Sequence, residues 1–384
     1  PGAEARAHRG RAGSVMTDRV AVPFLDLAAV HLDLRDDLDV AWKEVLAHGR
    51  FIGGPEVAAF EAEFAAHCGV EHAVGVGNGT DALELIMAGL GIGPGDEVIV
   101  PANTFVATVE AVVTVGARPR FVDVRPDTLL ADPSAVAAAV NPRTAAIVAV
   151  HLFGQMADVD ALGRLASRHG IALIEDAAQA HGARYLGRRP GGWGAGAAFS
   201  FYPGKNLGAL GDGGAVVSDD GQLIDKIRRL ADHGRSPSDR YVHEASGRNS
   251  RLDTLQAAAL RIKLARLDRM NAARVAVVEQ YRRGLPSWCV PVAEDPAAEA
   301  VYHLAVVQVP DRPRVTAALD AAGIGWGLHY PVPCHRQPAF AEYADGPLPV
   351  VEAAAERILS LPLSPGMTPE QVDLVCEVLH DVPI

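Results

Sequence analysis

In the segment FSFYPGKNLGALGDGG a lysine, Lys205, sits in a glycine- and proline-rich loop, five positions after Ser200. Flanking glycines let backbone and ligand approach closely, and a primary amine there can form an imine with a carbonyl while Ser200 binds a phosphate oxygen. Apolar or cationic neighbours would lower its pKa, as a nucleophile requires. A lone lysine is otherwise a solvated surface charge. Asp176 lies 29 positions earlier, at the end of the apolar run in IALIEDAAQAHG. A carboxylate at the end of a buried strand needs a partner. It can cap the next helix, or it can face a pyridinium nitrogen, keeping that ring protonated and electron-accepting. In GVGNGTDALEL, Gly79, Thr80 and Asp81 open a helix. First-turn amides and the helix dipole make an anion site, with the Thr80 hydroxyl beside them; many such loops only cap a helix. GVGNGT does not keep the G-x-G-x-x-G spacing, which sets a dinucleotide-binding fold aside.

The elements that must position these groups follow from the pattern of apolar runs. Strands are expected at His72–Val76, Glu97–Val100, Arg118–Val122, Ala145–His151, Ile171–Glu175, Ala198–Phe201 and Gly214–Ser218. Helical stretches at Thr80–Gly89, Phe105–Val115, Pro133–Ala139 and Asp158–His169 alternate with them. This is an α/β pattern: a mostly parallel seven-stranded sheet between helices, with functional residues at the strand ends. From Leu252 a long helical run, LDTLQAAALRIKLARLDRMNAARVAVVEQY, leads out of the sheet region. Val301–Val309 then reads as a strand, and Pro313–Ala322 and Pro369–Leu379 as helices of a smaller C-terminal α+β domain. The expected division is a large domain over 16–262, its N-terminal segment packing on the small domain, and a small domain over 263–384. Residues 1–15, PGAEARAHRGRAGSV, are expected to form a disordered extension ahead of Met16.

Composition narrows the function classes. The chain has 384 residues, 49% hydrophobic and 21% charged, ordinary for a folded protein. A net charge of −12 argues against nucleic acid as a partner. No apolar run approaches the roughly 18 residues of a membrane span, so no membrane is expected. The four cysteines are widely spaced without a C-x-x-C pair, which fits a reducing cytoplasm. His181, His329 and His335 lack metal-ligand spacing, so no metal is expected.

Taken in order, FIGGPEV, GVGNGTDAL, GDEVIVPANTFVAT, HLFGQMADVD, IEDAAQAHGA, FSFYPGKNLGALGDGG and GRNSRLDTLQAA resemble the DegT/DnrJ/EryC1/StrS nucleotide-sugar aminotransferases, a branch of the fold-type I pyridoxal-phosphate enzymes. The resemblance runs from about Val22 to Leu260, with HYPVPCHRQPAF in the small domain. It implies pyridoxal 5'-phosphate as cofactor, a Schiff base at Lys205, and Asp176 on the pyridine nitrogen. It further implies Gln179 near the phenolic oxygen and Phe105 stacked on the ring. Gly79, Thr80, Asp81 through its amide, and Ser200 would hold the phosphate. Asn249 would reach a partner's phosphate across a homodimer interface. For Phe105, Gln179 and Asn249 the plain alternatives are a core aromatic, a surface amide and a helix cap. Arg251 either binds a substrate anion or holds the dimer.

The same resemblance implies amino transfer from L-glutamate to a nucleotide-linked ketosugar. The H-Y-P-x-P-x-H pattern of HYPVPCH resembles the branch acting at C3, which favours a dTDP-linked 3-keto-6-deoxyhexose and makes His329, Tyr330 and His335 substrate contacts. Amination at C4 or of a keto-inositol is the near alternative. A dehydratase of this fold would carry histidine in place of Lys205. A ligand-sensing regulator that keeps the fold would lack the lysine or add a DNA-binding segment.

Overall fold

The computed structural model describes residues 21–384, so the expectation for residues 1–15 lies outside the described residues. The strands in chain order are β1 (His72–Val76), β2 (Glu97–Pro101), β3 (Arg118–Val122), β4 (Thr144–Val150), β5 (Ala172–Asp176), β6 (Arg184–Tyr185), β7 (Gly196–Ser200) and β8 (Gly214–Ser218). Seven of them form one sheet in the order β1-β8-β7-β5-β4-β2-β3. β2, β3, β4, β5 and β7 pair in parallel, and β8 runs antiparallel to both of its neighbours. The mostly parallel seven-stranded sheet is therefore as expected, with the bounds of β1, β3 and β8 as read and those of the other four shifted by one or two residues. Its strands are buried on both faces: Val98, Ile99, Val100, Ile147, Val148 and Ile174 are 0–1% exposed. Continuous β-branched runs of this kind suit a sheet covered by helices.

The smaller sheets are completed by β9 (Val290–Pro291), β10 (Ala298–Glu299), β11 (Ala305–Gln308) and β12 (Ile358–Leu361). β12, β11 and β9 form one three-stranded sheet, and β10 pairs with β6. The helices Leu267–Gly284 and Pro369–His380 pack on that three-stranded sheet through Val278, Tyr281, Val372, Val375 and Leu379.

Two expectations are corrected here. The long run from Leu252 is two helices, Thr254–Leu264 and Leu267–Gly284, separated at Ala265–Arg266. The first lies with the large sheet's helices and the second with the small sheet, and the break lets one amphipathic run serve both cores. The strand expected over Val301–Val309 begins only at Ala305. The amides of Val301 and His303 instead donate to Gly154 and Phe153, which draws this stretch against the large sheet. Among the described residues no helix is long and apolar enough to cross a membrane.

Candidate active site

The carboxyl ends of the parallel strands open onto a cavity of about 590 Å³ between the large sheet and the C-terminal elements. Such an edge is where open α/β sheets bind ligands. Lys205, Asp176, Gln179, Ser200, Thr80, Gly79, Phe105, His329 and Tyr330 all line it.

Asp176 is the last residue of β5 and is 7% exposed. Thr108 donates its hydroxyl to Oδ2 at 2.6 Å, and the amide of Ala178 donates to Oδ1 at 3.2 Å. Thr104 bonds Thr108 in turn at 2.7 Å. A carboxylate accepts about four hydrogen bonds, so Asp176 keeps capacity for a cationic donor in the cavity. Its neighbour Glu175 points to the other side of the strand. There Glu175 takes the amides of Gly191, Trp193 and Gly194, and His151 Nε2 at 3.0 Å. Since Ala157 N–H donates to His151 Nδ1, the ring proton lies on Nε2 and points at Glu175.

Lys205 follows β7 in a tight loop. A Cβ at Gly208 would fall 2.3 Å from the Pro203 carbonyl, so the loop requires glycine there. Burial pulls the Lys205 amine down to about 8, with nearby Asp176 opposing the shift. An amine at that value is partly unprotonated near neutral pH. Beneath the loop Lys263, 2% exposed, donates to the Gly208 carbonyl and fixes its course.

The phosphate-type cradle is the start of the helix Gly79–Leu90, packed on the end of β7 so closely that a Cβ at Gly79 would meet Ser200 Cβ at 2.6 Å. Asn78 caps this helix by accepting the Asp81 amide at 2.8 Å. The Asp81 amide is thus bonded within the chain, and Asp81 is not among the residues that line the cavity. Gly79, Thr80 and Ser200 line the cavity, and a helix start with neighbouring hydroxyls is an arrangement that can take an anion.

Phe105 is 52% exposed at the mouth, 5.7 Å from the Tyr330 ring, and is not a core aromatic. Gln179 donates from Nε2 to the Tyr330 hydroxyl at 3.0 Å and accepts the Phe153 amide at 2.7 Å. His329 bonds Ser360 at 2.8 Å, and burial holds its imidazolium pKa down at about 4. Three more expected residues lie off the cavity. His335 is 1% exposed, turned onto Glu352 at 2.8 Å. Arg251 pairs with Asp232 at 2.6 Å, and Asn249 is exposed on the same segment.

The lining also contains Phe24, His151, Tyr202, Arg274 and His303, which sequence reasoning did not single out. Arg274 was hidden in an arginine-rich helical run and His303 in an expected strand. HLFGQMADVD carried the signal for His151.

A lysine with a depressed pKa, a buried carboxylate with spare capacity and a cradle of free amides fit pyridoxal phosphate. Residues 33–380 match the DegT/DnrJ/EryC1/StrS aminotransferases. The chain belongs to that family. It is 49% identical over 365 residues to the dTDP-3-amino-3,4,6-trideoxy-α-D-glucose transaminase of Streptomyces venezuelae, covering 94% of this chain and 96% of that protein. The crystal structure of S. venezuelae DesV in complex with a ketimine intermediate superposes with a TM-score of 0.91 at 49% identity, over 94% of this chain and 98% of that one. NtdA from Bacillus subtilis, with bound cofactor PMP, gives 0.88 at 31% identity, over 94% and 85%. The protein is thus a pyridoxal-phosphate-dependent aminotransferase.

Proposed function

We propose that the chain transfers an amino group from L-glutamate to C3 of a dTDP-linked 3-keto-6-deoxyhexose, in the making of an aminodeoxysugar. One observation carries the reading: Lys205, its amine pulled down to about 8, shares the cavity wall with Asp176 and with the Gly79–Thr80 cradle. The S. venezuelae relative's 3-amino-sugar name and the HYPVPCH segment, whose Tyr330 meets Gln179, favour C3.

Pyridoxal phosphate, when bound, supplies an electron sink for the carbanion at the donor's α-carbon. The residues of the chain do the rest. Gly79, Thr80 and Ser200 bind the phosphate, and Asp176 keeps the ring nitrogen protonated. Phe105 and Gln179 orient the ring. Lys205 would hold the cofactor at rest, and its Nζ, when free, would take the proton from the donor α-carbon as base and hand it to the cofactor as acid.

A homodimer completes this reading. The lining residues Tyr202 and Phe105 are 60% and 52% exposed, and Phe51, Ile52, Tyr241 and Val242 are also exposed. A second copy would close this side of the cavity, bringing its Asn249 to the phosphate cradle and Arg251 to the interface. We place the division between large and small domains at 262/263, near the helix break, and the enzyme in the cytoplasm, where its four buried free cysteines stay reduced.

The test is the visible spectrum of the protein with added pyridoxal phosphate. Wild type should give a yellow chromophore that borohydride fixes to Lys205 and that L-glutamate bleaches. Lys205→Ala should give neither, with activity lower by at least about 10³-fold. A wild type without the chromophore, or a mutant with the same fixed adduct, returns the regulator reading. Paired 3- and 4-ketosugars then decide the position of amination.

A further inference from the structure

Of the residues lining the cavity, Lys205 and Arg274 are the two lysine or arginine side chains, and Arg274 has no part in the roles above. It projects from the helix Leu267–Gly284 and is 3% exposed. Among the described residues no carboxylate comes within 4.0 Å of it. Its Nη1 reaches the carbonyls of His303 and Leu363 at 3.5 Å each, the outer limit of a hydrogen bond, and among the described residues its Nε has no partner. Burial disfavours its charge, yet a guanidinium does not give up its proton in a protein. A buried charge in this state calls for an anion.

We propose that Arg274 is the group that binds a carboxylate of the amino donor, a step that rests on the glutamate reading above. The guanidinium fork matches a carboxylate bidentately. Arg274 is also tied to the Lys205 loop through His303, whose carbonyl lies 3.5 Å from Arg274 Nη1 and whose Nδ1 meets Asn206, the residue after Lys205, at 3.3 Å. A small planar carboxylate suits a side chain this deep. A nucleotide's diphosphate, bulky and strongly hydrated, suits the open rim.

The test uses the holoenzyme with Arg274→Gln and Arg274→Lys. The glutamate half-reaction is followed by bleaching of the cofactor, and the unreactive glutarate and dTDP are titrated by calorimetry. Arg274→Gln should weaken glutamate and glutarate roughly 10- to 100-fold, with dTDP within about two-fold of wild type. Arg274→Lys should fall between, because it keeps the charge and loses the fork. It also serves as the fold-safe variant. L-Glutamine as donor identifies the carboxylate: equal loss for both donors means the α-carboxylate, and loss for glutamate alone means the distal one. Weakened dTDP with glutarate spared overturns the proposal, as does no change in either. Should wild type fail to react with glutamate, the donor reading falls, and the glutarate titration still decides for or against Arg274.

Discussion

The two walls of the cavity are built by different means. Asp176 and Ser200 end hydrogen-bonded strands of one sheet, and Gly79 and Thr80 start a helix wedged against Ser200. Opposite them, Arg274 comes from a helix of the small-sheet layer, and His303, His329 and Tyr330 from irregular segments held by a few side-chain bonds. On the proposed reading the first wall carries the groups that hold the cofactor, on elements that cannot shift separately. The second meets whatever enters, and its parts can change without disturbing the sheet. In such a division catalytic machinery sits on a rigid scaffold and selectivity on loops.

The two adjacent acids of β5 put this to the sharpest test. Asp176→Asn should lower kcat by about 10²–10³-fold while leaving the thermal transition near wild type, because the cavity-facing charge is lost while the amide oxygen still accepts from Ala178 and the Thr108 hydroxyl can turn to accept from the new NH2. Glu175→Gln should do the reverse. It weakens the buried acceptor of three amides and His151, at a cost of about 1–3 kcal/mol in stability with kcat changed less than ten-fold. Denaturant titrations and single-turnover rates on both variants check it. Equal loss of kcat in both would break the distinction between the cavity face and the hidden face of that strand.

A smaller effect is expected on the opposite wall. Glu352 accepts from His335 at 2.8 Å, from Arg336 at 2.9 and 3.1 Å, and from the Leu348 amide at 3.0 Å. These bonds, that of His335 foremost, hold its carboxyl down at about 2, so it stays charged at any working pH. They tie down the segment that carries Tyr330. Glu352→Gln should raise KM for the ketosugar several-fold, since charge-assisted bonds become ordinary ones, and leave the glutamate half-reaction alone. Equal damage to both half-reactions would mean that the two walls move as one.

Much of the first wall was legible in the sequence, because its residues lie in short contiguous signals: an apolar run ending in Asp176, a glycine loop around Lys205, a helix start at Gly79. The sheet was legible for the same reason, its strands being apolar on both faces. Asp81 shows the limit, since an amide's partner depends on how Asn78 turns, which no spacing encodes. His335 shows another: a histidine next to a site motif can face inward as a brace. Arg274 was illegible because its meaning is what it lacks, a counter-ion, and only packing reveals that.

His181 lies behind the first wall, fully buried against Phe199 and Phe201; among the described residues neither ring nitrogen has a partner of good hydrogen-bond geometry, and the Ser200 backbone gives only a weak polar contact. Burial, and then the charge of Lys205, hold its pKa down at about 3. The sign follows from proton counts. Between pH 6.5 and about 3 the unfolded chain binds a proton here that the folded chain refuses. Stability is therefore unaffected by this group above 6.5 and is lost as pH falls through that window, by up to about 1.4 kcal/mol per pH unit. His181→Phe should remove this slope: its stability relative to wild type is constant from pH 8 to 6.5 and rises between pH 6 and 4 in urea titrations. Lys205→Ala should raise the lower end of the window, because it takes away the second cause. A slope unchanged in His181→Phe would show that the histidine is already charged in the fold, and that the first wall contains a polar contact its packing hides.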